Sequence, residues 1–114
     1  MEATLILSIK GVDHHITFPR IGKFKNIESL KQALSNGMYS SLMKTNTEEA
    51  YEALDMIDME AYFSVLFTKL MESLECDSFS DLGMADYLEV KKVYVEKFVP
   101  WWKKILKELN PSKD

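Results

Sequence analysis

Two histidines beside an aspartate are the first residues in the chain that could do chemistry. Asp13, His14 and His15 are adjacent, and imidazole and carboxylate groups are both ligands of protein-bound zinc. On a strand, however, neighbouring side chains point to opposite faces, so the two imidazoles cannot readily hold one ion. We therefore expect both histidines to be solvent-facing strand residues, and we predict no metal site.

A run of acidic residues in the middle of the chain is the second candidate. Its members are Glu48, Glu49, Glu52, Asp55, Asp58 and Glu60. Their spacing does not match the calcium-binding loop, which needs a central glycine and oxygen ligands at alternating positions. Neither a partner nucleophile nor a glycine-rich phosphate loop accompanies them. The run is typical of a solvated helix face, and a docking surface for a basic segment is the functional alternative.

Cys76 is the single cysteine, so the chain cannot form an internal disulfide. Neither histidine is near it in sequence, and we expect a small buried or half-buried residue rather than a nucleophile. Cysteine usage of this kind fits a reducing compartment and predicts a cytoplasmic protein. The residues as a whole predict a protein with no catalytic site and no cofactor.

The best indication of a binding site is the pair Trp101 and Trp102, which follows Pro100. Adjacent residues on a helix are about 100° apart, so both indoles cannot occupy the centre of one narrow core face. We expect one to be buried and the other partly exposed, as tryptophan is enriched at binding hot spots. The predicted partner-binding residues, which add a basic rim and an outward-facing strand residue, are Trp101, Trp102, Lys103, Lys104, Lys107 and Ile6. Solvated lysines on an outer helix face are the alternative for the rim.

Charge is distributed unevenly along the 114 residues. Residues 1–90 hold 7 Lys and Arg against 15 Asp and Glu, whereas residues 91–114 hold 7 Lys against 3 acids. An acidic body argues against nucleic-acid binding, which depends on neutralising phosphates. No apolar run is as long as a membrane span. The length predicts one domain, 1–114, with a protein as its partner and a homo-oligomer as a second option.

The elements that must position these residues begin with a β-hairpin over residues 3–18, ATLILSIKGVDHHITF after Glu2. Apolar residues alternate with polar ones on both sides of Gly11, where the chain must reverse. Ile6 breaks the alternation and should lie on the other face. The hairpin has no further strand to pair with in the chain, so its edge is open to strand addition from another molecule.

A helical body over residues 26–109 follows. Asn26 predicts the N-cap of a first helix over 27–36, and Gly37 its C-terminal cap. The central stretch 45–75 carries two apolar faces about half a turn apart, with capping signals at Thr45 and Asn46. We favour a break into two helices near Asp55–Asp58; the alternative is one helix buried on opposite sides at its two ends.

The last helix should begin at about Asp86, and Pro100 should kink it or start a new helix. Residues 110–114 are predicted to form a frayed tail. The expected fold class is therefore α+β and helix-dominated, with an N-terminal two-stranded hairpin packed on a bundle of about four helices.

The layout resembles the tail assembly chaperones of tailed bacteriophages. The similarity lies in an opening strand–Gly–strand (LILSIKGVDHHITF) that continues into an acidic helical body, whereas the mid-chain helices, the SFSDL segment and the final Tyr- and Trp-bearing helix (VYVEKFVPWWKKIL) resemble small structural-region proteins of phages. It covers the whole chain in outline and carries over no residue role. The resemblance implies a non-enzymatic protein of the host cytoplasm, or of the virion, that binds another virion component during assembly.

Three hypotheses follow for function. The first is an assembly or adaptor protein that binds another protein through its hairpin edge and its C-terminal aromatic and basic helix. The second is a structural subunit retained in a virion or homo-oligomer. The third is a small ligand-binding or enzymatic domain that uses the interior as a pocket.

Overall fold

The structure is a computed structural model that describes residues 4–16 and 20–109. The α+β, helix-dominated class with an N-terminal antiparallel hairpin is confirmed. The chain forms two compact units. Unit 1 contains the described residues 4–16 and 82–109, and unit 2 contains residues 20–81. Residues 3 and 17–18 of the predicted hairpin, Pro19 and the predicted tail 110–114 lie outside the described residues.

The elements, in chain order, are β1 (Leu5–Ile9), β2 (Val12–Ile16), α1 (Ile21–Leu34), α2 (Tyr39–Lys44), α3 (Glu48–Leu66), α4 (Leu70–Ser73), a 3₁₀ turn (Phe79–Asp81), α5 (Met84–Val93), a π segment (Tyr94–Phe98) and α6 (Val99–Leu109).

In unit 1, β1 and β2 form an antiparallel hairpin that reverses at Lys10 and Gly11. Both turn residues have positive φ, 51° and 77°, which is the geometry of a two-residue turn that matches the twist of its strands. The Lys10 backbone N–H donates to Glu89 Oε2 at 2.7 Å, and its ammonium contacts Asp86 Oδ2 at 3.1 Å. The turn is therefore fixed to α5, on which β1 packs.

The predicted alternation of β1 is confirmed. Leu7 and Ile9 are buried, and Ile6 is exposed on the opposite face. His14 pairs with Leu7 in the register and is 7% exposed, so its predicted solvent-facing position is wrong. It shares the inner face with Leu7 and Ile9 because strand residues alternate with period two. His15, on the outer face, is exposed as predicted.

The helix after α5 widens before it continues. The Val99 N–H donates to the Tyr94 carbonyl, five residues back instead of four. Pro100, which has no N–H and whose ring crowds the preceding turn, follows directly. The sequence predicted a kink or a new helix at Pro100, and the structure shows one wide turn on the N-terminal side of Pro100. A π segment of this kind inserts one extra residue into the helix.

In unit 2, α1 begins earlier than predicted. Its N-cap is Arg20, without a side-chain hydrogen bond, and Asn26 is an exposed residue inside the helix. A capping residue marks where a helix is able to begin, and here the upstream turn brings half-buried Phe24 onto the face of buried Ile27. The earlier start therefore adds apolar packing, which outweighs the capping preference.

The C-terminus of α1 agrees better with its prediction. Asn36 and Gly37 both have positive φ; the Gly37 N–H donates to Gln32 O at 2.8 Å and the Asn36 N–H to Ala33 O at 3.2 Å. This pair of bonds is the Schellman arrangement, which satisfies carbonyls at a helix end.

Helix α3 is continuous through Asp55–Asp58, so the favoured break there is wrong. The chain leaves the helix at Phe67 and resumes at α4. Its N-cap is Thr47, whose Oγ1 accepts from the Ala50 N–H at 3.2 Å, not Thr45 or Asn46. The apolar face shifts because Met59, Glu60 and Ala61 are all buried: three consecutive residues at about 100° steps span about 200°, a little over half of the helix circumference. Helices α1 and α2 pack on α3.

Candidate protein-binding surface

The predicted binding residues Trp101 and Trp102 lie in α6 of unit 1, and each is 6% exposed. The expectation that one of them is partly exposed is wrong. The Phe98 ring lies 6.0 Å from the Trp101 ring and 5.6 Å from the Trp102 ring, measured between centroids, and the two indoles are 6.2 Å apart. The indoles cover a wider arc of the helix than one narrow core line, since each is among the largest side chains.

An aromatic stack continues from these rings into the π segment. Tyr94 and Phe98 are stacked with their centroids 5.6 Å apart, and Phe98 is fully buried. Trp101 Nε1 is buried and, within the part of the chain that the structure describes, has no hydrogen-bond acceptor. The two tryptophans therefore stabilise unit 1 from inside and do not present a contact surface.

The lysines of the predicted set lie where expected. Lys103, Lys104 and Lys107 are exposed on α6, and Ile6 is exposed on the outer face of the hairpin. The structure thus places three basic residues and one apolar residue of the set on the surface of unit 1, and buries the two tryptophans beneath it.

A row of exposed apolar side chains on α5, the π segment and α6 was missed from the sequence. Met84, Leu88, Val95 and Leu106 are 73, 54, 52 and 40% exposed. Met84, Leu88 and Val95, at spacings of four and seven residues, follow one side of the helix, while Leu106 lies beyond the π segment, whose extra residue turns it about 100° away from that line. We call these four residues the apolar stripe. The sequence did contain a signal for this surface: Met84, Leu88 and Val95 repeat at helical spacing, alongside the buried residues that repeat at helical spacing on the core side.

Charges of both signs flank the apolar stripe. Lys92 and Lys103 are exposed beside it, and so is Glu96, the residue after Val95, whereas Asp86 and Glu89, two acids of α5, bind Lys10 of the hairpin turn. A helix in a globular domain normally buries one apolar face and leaves the other polar. This helix has a buried aromatic face and also an exposed apolar one with lysines at its side, which is typical of a contact surface.

Unit 2 holds a polar cluster that no sequence motif indicated. Lys31 of α1 is 6% exposed. Its ammonium donates to the Tyr62 hydroxyl at 3.0 Å and lies 3.7 Å from Asp58 Oδ1 and 3.2 Å from Glu28 Oε2. The Tyr39 hydroxyl donates to Asp58 Oδ1 at 2.5 Å. The cluster joins α1, α2 and α3.

The pKa shifts in this cluster are not those of a nucleophilic lysine. Burial alone would lower the pKa of the Lys31 ammonium, but its hydrogen bond to Tyr62 and the charge of Asp58 outweigh burial and raise the pKa above its ordinary value. Burial, and then the hydrogen bond to Asp58, raise the pKa of Tyr39. A nucleophilic lysine needs a lowered pKa. Lys31 is therefore a buried cation with a structural role.

The acidic run of α3 divides into two environments. Glu48, Glu49, Glu52 and Asp55 are exposed, as predicted for a solvated face. Asp58 and Glu60 are not: Asp58 belongs to the Lys31 cluster, and buried Glu60 accepts from the Phe79 N–H at 3.0 Å and from Ser78 Oγ at 3.1 Å. Glu60 thereby holds the start of the 3₁₀ turn.

Two further features bear on chemistry, namely the thiol of Cys76 and the arrangement of candidate metal ligands. Cys76 is half-buried, and burial first, then nearby acids such as Glu60, raise the pKa of its thiol, so little thiolate forms at neutral pH. Within residues 4–16 and 20–109, no cluster of three or more His, Cys, Asp or Glu side chains is placed to hold a metal ion.

Over the same residues, no helix has the length and apolar character needed to cross a membrane. Comparison of the chain with protein-family models, with curated proteins and with solved structures gives no match.

Proposed function

We propose that this protein is a non-enzymatic adaptor that binds another protein through the apolar stripe of unit 1. The observation that carries the proposal is the row of four exposed large apolar residues on a helix whose opposite side is already filled by the aromatic core. Large apolar side chains exposed to water are unfavourable, and their burial against a partner is favourable.

The partner that fits this surface is an amphipathic helix. Its apolar side would lie along Met84, Leu88 and Val95, with Leu106 to one side of them, and acidic residues at its margin would meet Lys92 and Lys103. Recognition of this type uses anchors at successive helical turns, with charge setting orientation and association rate. The predicted rim residues Lys104 and Lys107 and the outward-facing Ile6 extend the same unit's exposed surface.

The hairpin offers a second mode of contact. Its sheet has two strands within the described residues, and a strand edge without a neighbour presents backbone N–H and C=O groups to an added strand. The setting included in the proposal is assembly of a phage tail or virion. It rests on the resemblance in layout alone.

Photo-crosslinking from the apolar stripe tests the proposal. A photoreactive amino acid in place of Leu88 is expected to give a discrete adduct with a different protein in cells that naturally produce this chain. The same group in place of Lys97, an exposed residue on the same continuous helix but away from the stripe, serves as the matched control.

The adduct is identified by mass spectrometry. It should disappear when Val95→Asp is added, because a carboxylate in the middle of the stripe would have to be desolvated on binding. Equal labelling from positions 88 and 97, or adducts only with further copies of this chain, would contradict the adaptor proposal.

A further inference from the structure

The second strand of the hairpin in unit 1 has an edge with a defined pattern of backbone groups. Helix α5 and the π segment pack chiefly on β1, so β2 is the outer strand. Hydrogen-bonded pairs alternate with non-bonded pairs along an antiparallel ladder, and the pair that flanks a two-residue turn is bonded. Ile9 and Val12 flank the turn. Counting along β2 from Val12, the backbone N–H and C=O groups of Asp13 and His15 point away from β1.

The outward-pointing groups of Asp13 and His15 have no hydrogen-bond partner among residues 4–16 and 20–109. Both side chains are exposed on the outer face of the hairpin. Asp13 Oδ1 accepts from Ser8 Oγ, and its second carboxylate oxygen can accept from another donor. Because a sheet of two strands is only marginally stable in water, a further strand at this edge would stabilise it.

The sequence of β2, VDHHI, is complementary to itself when two copies run antiparallel about His14. Asp13 then lies opposite His15 of the second copy on the outer face, and Val12 lies opposite Ile16 of the second copy on the inner face. A carboxylate accepts hydrogen bonds, and an imidazole donates at least one in either protonation state. Each outer-face pair therefore joins an acceptor to a donor, and each inner-face pair joins two apolar side chains.

The two neighbouring registers lack this complementarity. Residues with outward-pointing backbone groups must face one another to bond, so a register changes by a slide of two residues. One slide sets the two Asp13 carboxylates opposite each other and Val12 opposite His14. The other sets the two His15 rings opposite each other and Ile16 opposite His14. Like charges directly opposite are destabilising, and only the register centred on His14 matches the residues on both faces.

We propose that two copies of this protein associate by antiparallel pairing of their β2 strands, with the two-fold axis at His14. The product is a four-stranded sheet in the order β1–β2–β2–β1, and addition stops at two copies because both β2 edges are used. Burial lowers the pKa of His14, so the two imidazoles that meet at the axis are uncharged at neutral pH. The inference rests on the proposed function in one respect, namely that the hairpin edge is a contact surface.

Sedimentation equilibrium of the purified chain is the first measurement. A seam of five residues is small beside the roughly 1,600 Å² of a stable interface, so the dimer should be weak and the concentrations should reach about 1 mM. The molar mass should rise from the 13.2 kDa of one chain towards twice that value and no further. A monomer throughout, or growth beyond two copies, would overturn the inference, while a crosslink from position 88 to a different protein would stand in either case.

Exchange of the two outer-face residues tests the register. His15→Asp alone sets carboxylate opposite carboxylate, and Asp13→His alone sets imidazole opposite imidazole. Each single variant should dimerise about tenfold more weakly than the parent chain, since two cross-strand pairs are lost. Asp13→His combined with His15→Asp restores both pairs with their roles exchanged and should dimerise like the parent. An equimolar mixture of the two single variants should form a heterodimer for the same reason.

Ile6→Thr is the matched control. It changes an exposed residue on the same outer face of the hairpin, but on β1, and it keeps a residue type that suits strands. This variant should dimerise like the parent, and far-UV circular dichroism confirms that every variant is folded. Unweakened dimerisation of His15→Asp, failure of the double exchange to restore it, or an equal loss in Ile6→Thr would each overturn the proposed pairing of β2 strands.

Discussion

Unit 1 is built around stacked aromatic rings, whereas unit 2 combines edge-to-face contacts of Phe63 with Phe67 and Phe79 with a cluster of one lysine, two tyrosines and one aspartate. In unit 1, Phe98 contacts Tyr94 and both tryptophans. In unit 2, Lys31 draws α1 towards Tyr62 and Asp58 of α3. Aromatic packing is nearly indifferent to pH, while a buried ionised cluster depends on the charge of each member. The two units should therefore respond differently to pH.

The largest expected effect comes from emptying the core of unit 1. Phe98→Ala should lower the free energy of unfolding by about 3–5 kcal/mol, because a fully buried ring is replaced by a cavity. The measurement is urea unfolding followed by tryptophan fluorescence, which reports on the two indoles beside Phe98. Val95→Ala in the same π segment is the control and should change stability by less than about 0.5 kcal/mol. Similar losses for the two variants would contradict the central position given to Phe98.

The next effect tests the buried cation of unit 2. Lys31→Met should lower the free energy of unfolding by about 2–4 kcal/mol, since Asp58 loses its nearby positive charge and remains partly buried. The measurement is urea unfolding followed by far-UV circular dichroism, because both tryptophans lie in unit 1. Glu28→Gln, which removes only the exposed partner of Lys31, should cost less than about 1 kcal/mol.

A double-mutant cycle sharpens this result. Adding Asp58→Asn to Lys31→Met should restore part of the loss, because the unpaired carboxylate is then gone. Strict additivity of the two changes would mean that Lys31 and Asp58 do not interact in solution.

The pH dependence of stability should differ in direction between the two units. Burial lowers the pKa of His14 in unit 1, so the unfolded chain binds more protons than the folded one below the ordinary value of 6.5. Stability should accordingly fall as the pH drops below about 6.5, by at most about 1.4 kcal/mol per pH unit. His14→Gln should flatten this slope between pH 7 and 5.

The loss of stability at alkaline pH should arise from unit 2. The pKa values of Lys31 and Tyr39 are raised from 10.5 and 10.0. The folded form keeps these protons when the unfolded chain loses them, and stability should fall as the pH rises above about 10. Lys31→Met combined with Tyr39→Phe should remove most of that fall, while His14→Gln should leave it unchanged.

The smallest effect concerns the end of α1. Asn36 has a φ of 54°, a conformation that glycine adopts without steric cost. Asn36→Gly should therefore change stability by less than about 1 kcal/mol, whereas Asn36→Val should destabilise unit 2 clearly because a β-branched residue is strained there. Thermal unfolding resolves both. Equal behaviour of the two variants would contradict the backbone geometry at this cap.

The hairpin and the end of α1 could be predicted from sequence because their signals are local. Alternation in β1, the reversal at Gly11 and the cap at Gly37 depend on neighbouring residues. The Lys31 cluster could not be predicted in this way, since Tyr39, Asp58 and Tyr62 are distant in sequence and meet Lys31 only through helix packing.

The candidate binding surface shows the same limit. Exposure of Ile6 and the lysines followed from periodicity and charge. Burial of both tryptophans did not, since it depends on which side chains from the rest of unit 1 pack around α6. The helix break was predicted near Asp55–Asp58, whereas α3 continues to Leu66, and the reason is related. An apolar face that moves around a helix signals either a break or a helix surrounded on all sides, and the residues alone do not distinguish these.

The sequence positions of unit 1 have a consequence for the order of events during synthesis. Its hairpin leaves the ribosome before α5 does, and the Asp86 and Glu89 carboxylates that hold the Lys10 turn come more than seventy residues later. At translation rates of roughly 5–20 residues per second, the hairpin waits several seconds for them. All of unit 2 is synthesised in that interval. Until then Leu7 and Ile9 remain uncovered by α5, so nascent chains truncated before residue 84 should be the ones that engage chaperones and aggregate.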